Sequence, residues 1–179
     1  LANSDYYIGL ISGTSVDGVD CALVQFEGNQ PKLIASHCEA IDPDLRETIL
    51  QLCSGKNIDL ELLGTTDIAI GQLFAKGVAT LLAKETIEKS SILAIGSHGQ
   101  TVFHHPVGDT RFSLQIGDPN SIAQRTGITT VADFRRRDMA AGGEGAPLAP
   151  LLHRNCFQSA STDRVVLNVG GIANITVLN

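Results

Sequence analysis

The chain has 179 residues, of which 43% are hydrophobic and 18% charged, ordinary proportions for a globular protein that can bury a sizeable core. A formal net charge of −6 argues against nucleic acid or an anionic membrane as a general partner. No basic-then-apolar leader opens the chain, no apolar run reaches membrane-spanning length, and the cysteines (Cys21, Cys38, Cys53, Cys156) are scattered without a C-x-x-C pair. The expectation is a cytoplasmic protein of one large domain, or of one and part of a second. Its thiols are expected free and reduced, three of them within apolar patterns.

The apolar run Tyr7-Ile8 precedes Gly9–Asp20, and Cys21–Phe26 follows it. Strand, small-residue turn and strand read as a hairpin. Gly13-Thr14-Ser15-Val16-Asp17-Gly18-Val19-Asp20 carries two glycines, two hydroxyls and two carboxylates. Such a tip can turn backbone N–H groups and hydroxyls toward an anion, and its carboxylates can hold a metal whose waters contact that anion. The other reading is a polar turn that binds nothing. Asn29-Gln30-Pro31 predicts a turn, and Lys32–Ile41 a third strand beside the second. Asp42-Pro43 starts a helix with Leu45, Ile49 and Leu52 on its apolar face and Gly55 at its end. Asp59 opens a longer helix to about Lys89, with a break expected near Gly64. Gly71 and Gly77 mark close contact of that helix with the sheet.

Ile92–Gly96 reads as a short buried strand that ends in the polar cluster Ser97-His98-Gly99-Gln100-Thr101, the place where open α/β sheets bind ligands. Val102–His104 and Phe112–Ile116 form a further hairpin pair. Asp118-Pro119 starts a short helix to about Thr126, and Thr129–Ala132 is a strand. Asp133-Phe134-Arg135-Arg136-Arg137-Asp138 leads into the glycine-rich Ala141–Gly145, and Pro147–His153 begins a helix. Arg164–Val169, Gly170–Asn174 and Ile175–Leu178 repeat the pattern of strand, small-residue turn and strand. Two such hairpins point to an internally duplicated fold with both turns facing a cleft. Because the second unit stops after its hairpin, the chain reads as a fragment of a longer protein.

No G-x-x-x-x-G-K-[ST], G-x-S-x-G or H-E-x-x-H is present, and Gly142-Gly143-Glu144-Gly145 does not fit a dinucleotide fingerprint. His37 and His153 read as structural, and His104-His105 as exposed or core residues rather than metal ligands. His98, among polar neighbours at a strand end, is a candidate ligand contact. The arginine run is either a solvated face or a device that fixes a catalytic carboxylate or touches an anion. Asp138 and Glu144 are the candidate general bases, each with an ordinary loop carboxylate as the alternative.

Six segments in order resemble the 1,6-anhydro-N-acetylmuramic acid kinases: Gly13–Asp20, Gly96–Thr101, Leu114–Asp118, Asp133–Asp138 with Ala141–Gly143, Gly145–Leu148, and Leu167–Asn174. The likeness runs from about Tyr7 to the last residue, while the family's chains continue into a second half. It implies the duplicated sugar-kinase and actin fold. Residues 1–163 would be a first actin-like (ribonuclease H-like) α/β domain with a mixed sheet, and residues 164–179 the opening hairpin of a second. It implies that the 1,6-anhydro ring is opened by water and O6 takes the γ-phosphate of ATP. Asp138 would be the base. Gly13, Thr14, Ser15, Val16, Asp17, Gly18, Val19, Asp20, Gly170 and Gly171 would contact the phosphates, Asp17 or Asp20 would hold Mg²⁺, and Ser97, His98, Gly99, Gln100 and Thr101 would line the sugar pocket. The competing expectation is an ATP-driven switch or chaperone-like module of the same fold, with no small phosphate acceptor. On either, the second hairpin packs on the first domain or is covered in a homodimer.

Overall fold

The computed structural model describes residues 5–170 and 173–179. The first three strands, β1 (Tyr6–Ser12), β2 (Gly18–Glu27) and β3 (Gln30–Ala40), form an antiparallel meander. The turn after β2 is Gly28-Asn29, so Gln30 and Pro31 already belong to β3, where an edge strand tolerates proline. Helix α1 (Pro43–Ser54) begins on the Asp42 carboxylate, which accepts the Asp44 amide, and Gly55 ends it at φ 70°. Helix α2 (Leu60–Glu85) is capped by Asp59, whose carboxylate accepts the Leu62 amide at 2.7 Å. The helix runs unbroken through Gly64. The cost of one glycine, about 1 kcal/mol, is outweighed by burial of Ile70, Phe74, Val78 and Leu81 further along. It stops before the expected Lys89, which instead opens a separate single turn, Lys89–Ser91.

The largest departure from expectation is β4 (Ile92–His105), one strand of 14 residues where two were expected. Its first part runs parallel to β1, and its last part pairs antiparallel with β5 (Phe112–Ile116). Gly99 makes the passage possible: it sits at φ 76°, and a Cβ there would lie 2.6 Å from the Ile116 carbonyl oxygen. The polar cluster is therefore inside a strand, not beyond its end. Helix α3 (Pro119–Thr126) is capped by Asp118, β6 (Thr130–Val131) adds parallel to β4, and α4 (Phe134–Ala140) and α5 (Ala149–Phe157) follow. The last two strands, β7 (Arg164–Asn168) and β8 (Asn174–Leu178), pair only with each other among the described residues.

The main sheet has the order β3-β2-β1-β4-β5, with β6 also on β4, and is mixed. One face alternates inward through Ile8, Leu10, Val19, Cys21, Leu23 and Ile95, and packs on α1, α2 and α3. Gly77 does mark close helix–sheet contact, since a Cβ there would meet Cys21 Sγ at 2.8 Å. Gly71 instead lies against the start of α3, 2.7 Å from the Asp118 carbonyl oxygen by the same measure. No disulfide joins the cysteines. Burial pushes the Cys21 thiol up to about 12, whereas Cys38 and Cys53 are exposed despite their apolar neighbours in sequence. No helix among the described residues is long and apolar enough to cross a membrane.

Edge strand β3 is tied to α2 through Glu39. One carboxylate oxygen accepts from Lys76 Nζ at 2.7 Å; the other accepts from His37 Nε2 at 3.0 Å and Thr80 Oγ1 at 3.2 Å. Lys76 first and His37 second pull the Glu39 carboxyl down to about 2. A depressed carboxylate contributes stability that is complete above its unfolded value of about 4.3 and is lost as pH falls toward the folded one. Glu39→Gln should therefore destabilise the protein by about 1–3 kcal/mol at pH 7, with a difference that shrinks as pH falls from about 4.3 toward 2. Chemical denaturation of both proteins across that range checks it.

Candidate active site

The first candidate group is the turn between β1 and β2. It is tighter than the sequence suggests: the loop proper is Gly13–Asp17, closed by the Val16 amide donating to the Gly13 carbonyl at 3.2 Å. Gly18, Val19 and Asp20 already belong to β2. Thr14, Ser15 and Asp17 are exposed at the tip. Ser15 Oγ donates to Asp17 Oδ1 at 2.7 Å, and this bond is the main reason the Asp17 carboxyl lies below its usual value. Val16 is the turn's anchor. Its side chain is only 1% exposed, and its φ of 52° is unusual for a β-branched residue. Val19 is fully buried, so its side chain faces the core and not a ligand. Asp20 is exposed, across the ladder from Ile11.

The two glycines of this turn differ. At Gly18 a Cβ would collide with Cys38 Sγ and come 3.2 Å from the Glu39 carbonyl oxygen, so β3 itself forbids a side chain. At Gly13 the nearest atom would be Ser15 Oγ at 3.8 Å, so nothing within the protein requires glycine there.

The second group, on β4, is split by the strand. Ser97 and Gln100 are 1% and 0% exposed and point into the core. Gln100 Oε1 accepts from Ser12 Oγ at 2.6 Å, and Thr101 Oγ1 accepts from Gln115 Nε2 at 3.1 Å. His98 points the other way. Arg135 Nε donates to His98 Nε2 at 2.9 Å. A guanidinium can only donate, so His98 carries its proton on Nδ1 and donates it to the Gly99 carbonyl at 3.0 Å. Burial is the main cause holding His98 below its usual value and therefore neutral. The structure thus joins His98 to the arginine run and turns Ser97 and Gln100 away from it.

The arginine run is helical, which its charge concealed. Arg135, Asp138 and Met139 lie on one partly buried face of α4; Arg136 and Arg137 are exposed, and Arg136 pairs with Asp133 at 3.4 Å. The spacing 135, 138, 139 was the available signal. Arg135 Nη1 donates to the Gly145 carbonyl at 3.4 Å, and the Gly145 amide donates to Asp138 Oδ2 at 2.8 Å. A Cβ at Gly143 would collide with the Asp138 carboxylate. Asp138 thus faces its own glycine loop, and Glu144 is exposed on that loop.

Of the other candidates, Gly170 is exposed just after β7, and Gly171 lies outside the described residues. His153 Nδ1 meets Thr176 Oγ1 at 2.9 Å and ties α5 to β8. His104 Nδ1 meets Ser113 Oγ at 3.1 Å, and the His105 ring packs on Phe112. No cluster of three metal-ligating side chains occurs among the described residues. A shallow depression of about 780 Å³ beside α5, lined by Gln30, Arg154 and Asn179, includes none of the candidate residues.

A mixed α/β sheet of this order is consistent with a sugar kinase-like domain. The family model for anhydro-N-acetylmuramic acid kinase matches residues 5–179, and the chain belongs to that family. It is similar to the anhydro-N-acetylmuramic acid kinases of Shewanella pealeana, at 53% identity over 98% of this chain and 48% of the relative, and of Shewanella sp. strain ANA-3, at 56% identity over the same shares. The Shewanella halifaxensis protein of that name is 52% identical. The chain thus spans about half the length of the curated relatives it matches.

The asymmetry of the two turn glycines is directly testable. Gly18→Ala should destabilise the fold by about 1–3 kcal/mol, the range for overpacking, while Gly13→Ala should change stability by less than about 0.5 kcal/mol. Denaturant unfolding of both variants measures this.

Proposed function

We propose that this chain supplies one wall of the active site of an ATP-dependent kinase acting on 1,6-anhydro-N-acetylmuramic acid. The reaction gives N-acetylmuramic acid 6-phosphate in the recycling of cell-wall peptidoglycan, in the cytoplasm. Family membership across residues 5–179 carries the reading. Water attacks the anomeric carbon as its bond to O6 breaks and gives up one proton, which is finally released to solvent; O6 leaves with the electron pair of that bond and uses it to take the γ-phosphoryl group, while ADP leaves. Phosphoryl transfer needs mainly positioning and charge neutralisation. The tip Gly13–Asp17 is suited to this through its exposed backbone and hydroxyls. Mg²⁺, when bound, neutralises phosphate charge. Mg²⁺ keeps several waters and takes only one or two carboxylates, which the ionised Asp17 and the exposed Asp20 can supply without a larger cluster.

The β1–β2–β3 meander with β4 parallel to β1 supports the reading of residues 1–163 as an actin-like, ribonuclease H-like domain. On that reading residues 164–179 open the second domain. Val165, Leu167, Ile175 and Val177 are each more than half exposed along β7 and β8, an apolar face that such a domain would cover. Among the expected pocket residues, His98 is retained as the one that holds Arg135. Ser97, Gln100 and Thr101 serve as framework.

For Asp138 we favour a loop anchor over the general base. Its carboxylate is turned to Gly143 and Gly145, and Asn would still offer the Gly145 amide an acceptor. In a chain of the relatives' full length, Asp138→Asn should keep turnover within about tenfold of the parent, whereas loss of a general base costs about 10²–10⁴-fold. A folded Asp138→Asn protein with turnover down 10²-fold or more would restore the base assignment. The kinase reading itself predicts ADP production that depends on the anhydro sugar, and Gly13→Val should raise the apparent ATP requirement far more than the sugar requirement. ATP hydrolysis indifferent to the sugar would favour the switch-like alternative.

A further inference from the structure

Arg135 is singular among the three consecutive arginines. Arg136 has a carboxylate partner and is 65% exposed, and Arg137 is exposed, but Arg135 is partly buried. Among the described residues its two hydrogen-bond partners are neutral: the imidazole of His98 and the Gly145 carbonyl. No carboxylate lies within ion-pair distance of it among those residues. Asp138, one helical turn away, is occupied with the Gly145 amide instead. A cation withdrawn from water without an anion is costly, and burial accordingly lowers the Arg135 pKa. The two contacts use Nε and one Nη1 proton, so the second Nη1 proton and both on Nη2, at the outer edge of the guanidinium, have no protein partner among the described residues. That edge is the fork that pairs with a planar oxyanion through two parallel bonds. His98, fixed by Gly99 on one side, orients the plane from behind.

We propose that the Nη1–Nη2 edge of Arg135 receives the carboxylate of the sugar's lactyl side chain, which makes Arg135 a specificity-determining residue and His98 its positioning residue. The inference rests on the kinase reading above, which supplies a substrate that carries a carboxylate. The competing oxyanion is a phosphate of ATP, and one experiment separates them. In a chain of the relatives' full length, kcat/KM is measured for 1,6-anhydro-N-acetylmuramic acid and for its carboxamide, in which the lactyl carboxylate is a neutral amide. The carboxamide's affinity is also read as a competitive inhibition constant, so a poor substrate still reports.

The unsubstituted protein should prefer the acid, and Arg135→Gln should shrink that preference about 10–100-fold, the worth of a hydrogen bond to a charged group. Arg135→Lys keeps the charge but not the fork and should recover only part of it, which guards against a glutamine variant that folds poorly. His98→Ala should shrink the preference less than Arg135→Gln does. Equal losses on acid and amide would overturn the proposal, as would a raised ATP requirement with the preference unchanged. An unsubstituted protein that phosphorylates neither compound would instead sink the kinase reading, and this inference with it.

Discussion

The hydroxyl of Ser12 and the side-chain amide of Gln100 meet at 2.6 Å inside the sheet, and the candidate site hangs on that bond. Ser12 is the last residue of β1 and stands directly before the polar turn; Gln100 lies two residues after His98. Both are almost fully buried, so neither can be satisfied by water and each needs the other. The bond sits where the β1–β4 register shifts, from Leu10 opposite Ser97 to Ser12 opposite Gln100. One extra residue on β4 is absorbed there, which is how Gly99 can turn away and His98 can face Arg135 while Gln100 faces the core. The same fastening fixes the stem from which Gly13–Asp17 projects.

Around this seam the site is assembled from neighbours that restrain one another. Val16 holds the turn by filling the core in a left-handed backbone conformation, a strain that persists because the surrounding packing determines it. Arg135 is held by His98 from β4 and by Gly145 from the glycine loop, and Asp138 closes that loop through the Gly145 amide. Asp17 is exposed at the tip, and Arg135 has no carboxylate partner among the described residues.

What was legible in the sequence was what is determined locally. Asp42, Asp59 and Asp118 cap their helices as their neighbours in sequence predict, because a cap needs only the next three residues. The first and last hairpins were legible from apolar runs flanking small residues. The continuity of β4 was not, since Gly99 is accommodated by Ile116 from another strand. Nor was the inward turn of Ser97 and Gln100, which follows from a register shift against β1. The helix α4 was concealed because its partly buried face carries Arg135 and Asp138, residues that a polarity pattern assigns to solvent. Six motifs in order placed the chain in its family, yet which motif residues face a ligand was decided by pairing between strands far apart in sequence.

On the proposed kinase reading, one buried hydrogen bond sets both the Gly13–Asp17 turn and the His98–Arg135 side of the site. The most direct measurement is steady-state kinetics of Gln100→Leu in a chain of the relatives' full length, with thermal unfolding on the same preparation. The expected result is a folded protein whose apparent requirements for ATP and for the anhydro sugar both rise, because Ser12 loses its partner and the two groups lose their common frame. A folded Gln100→Leu protein with either requirement unchanged would contradict it.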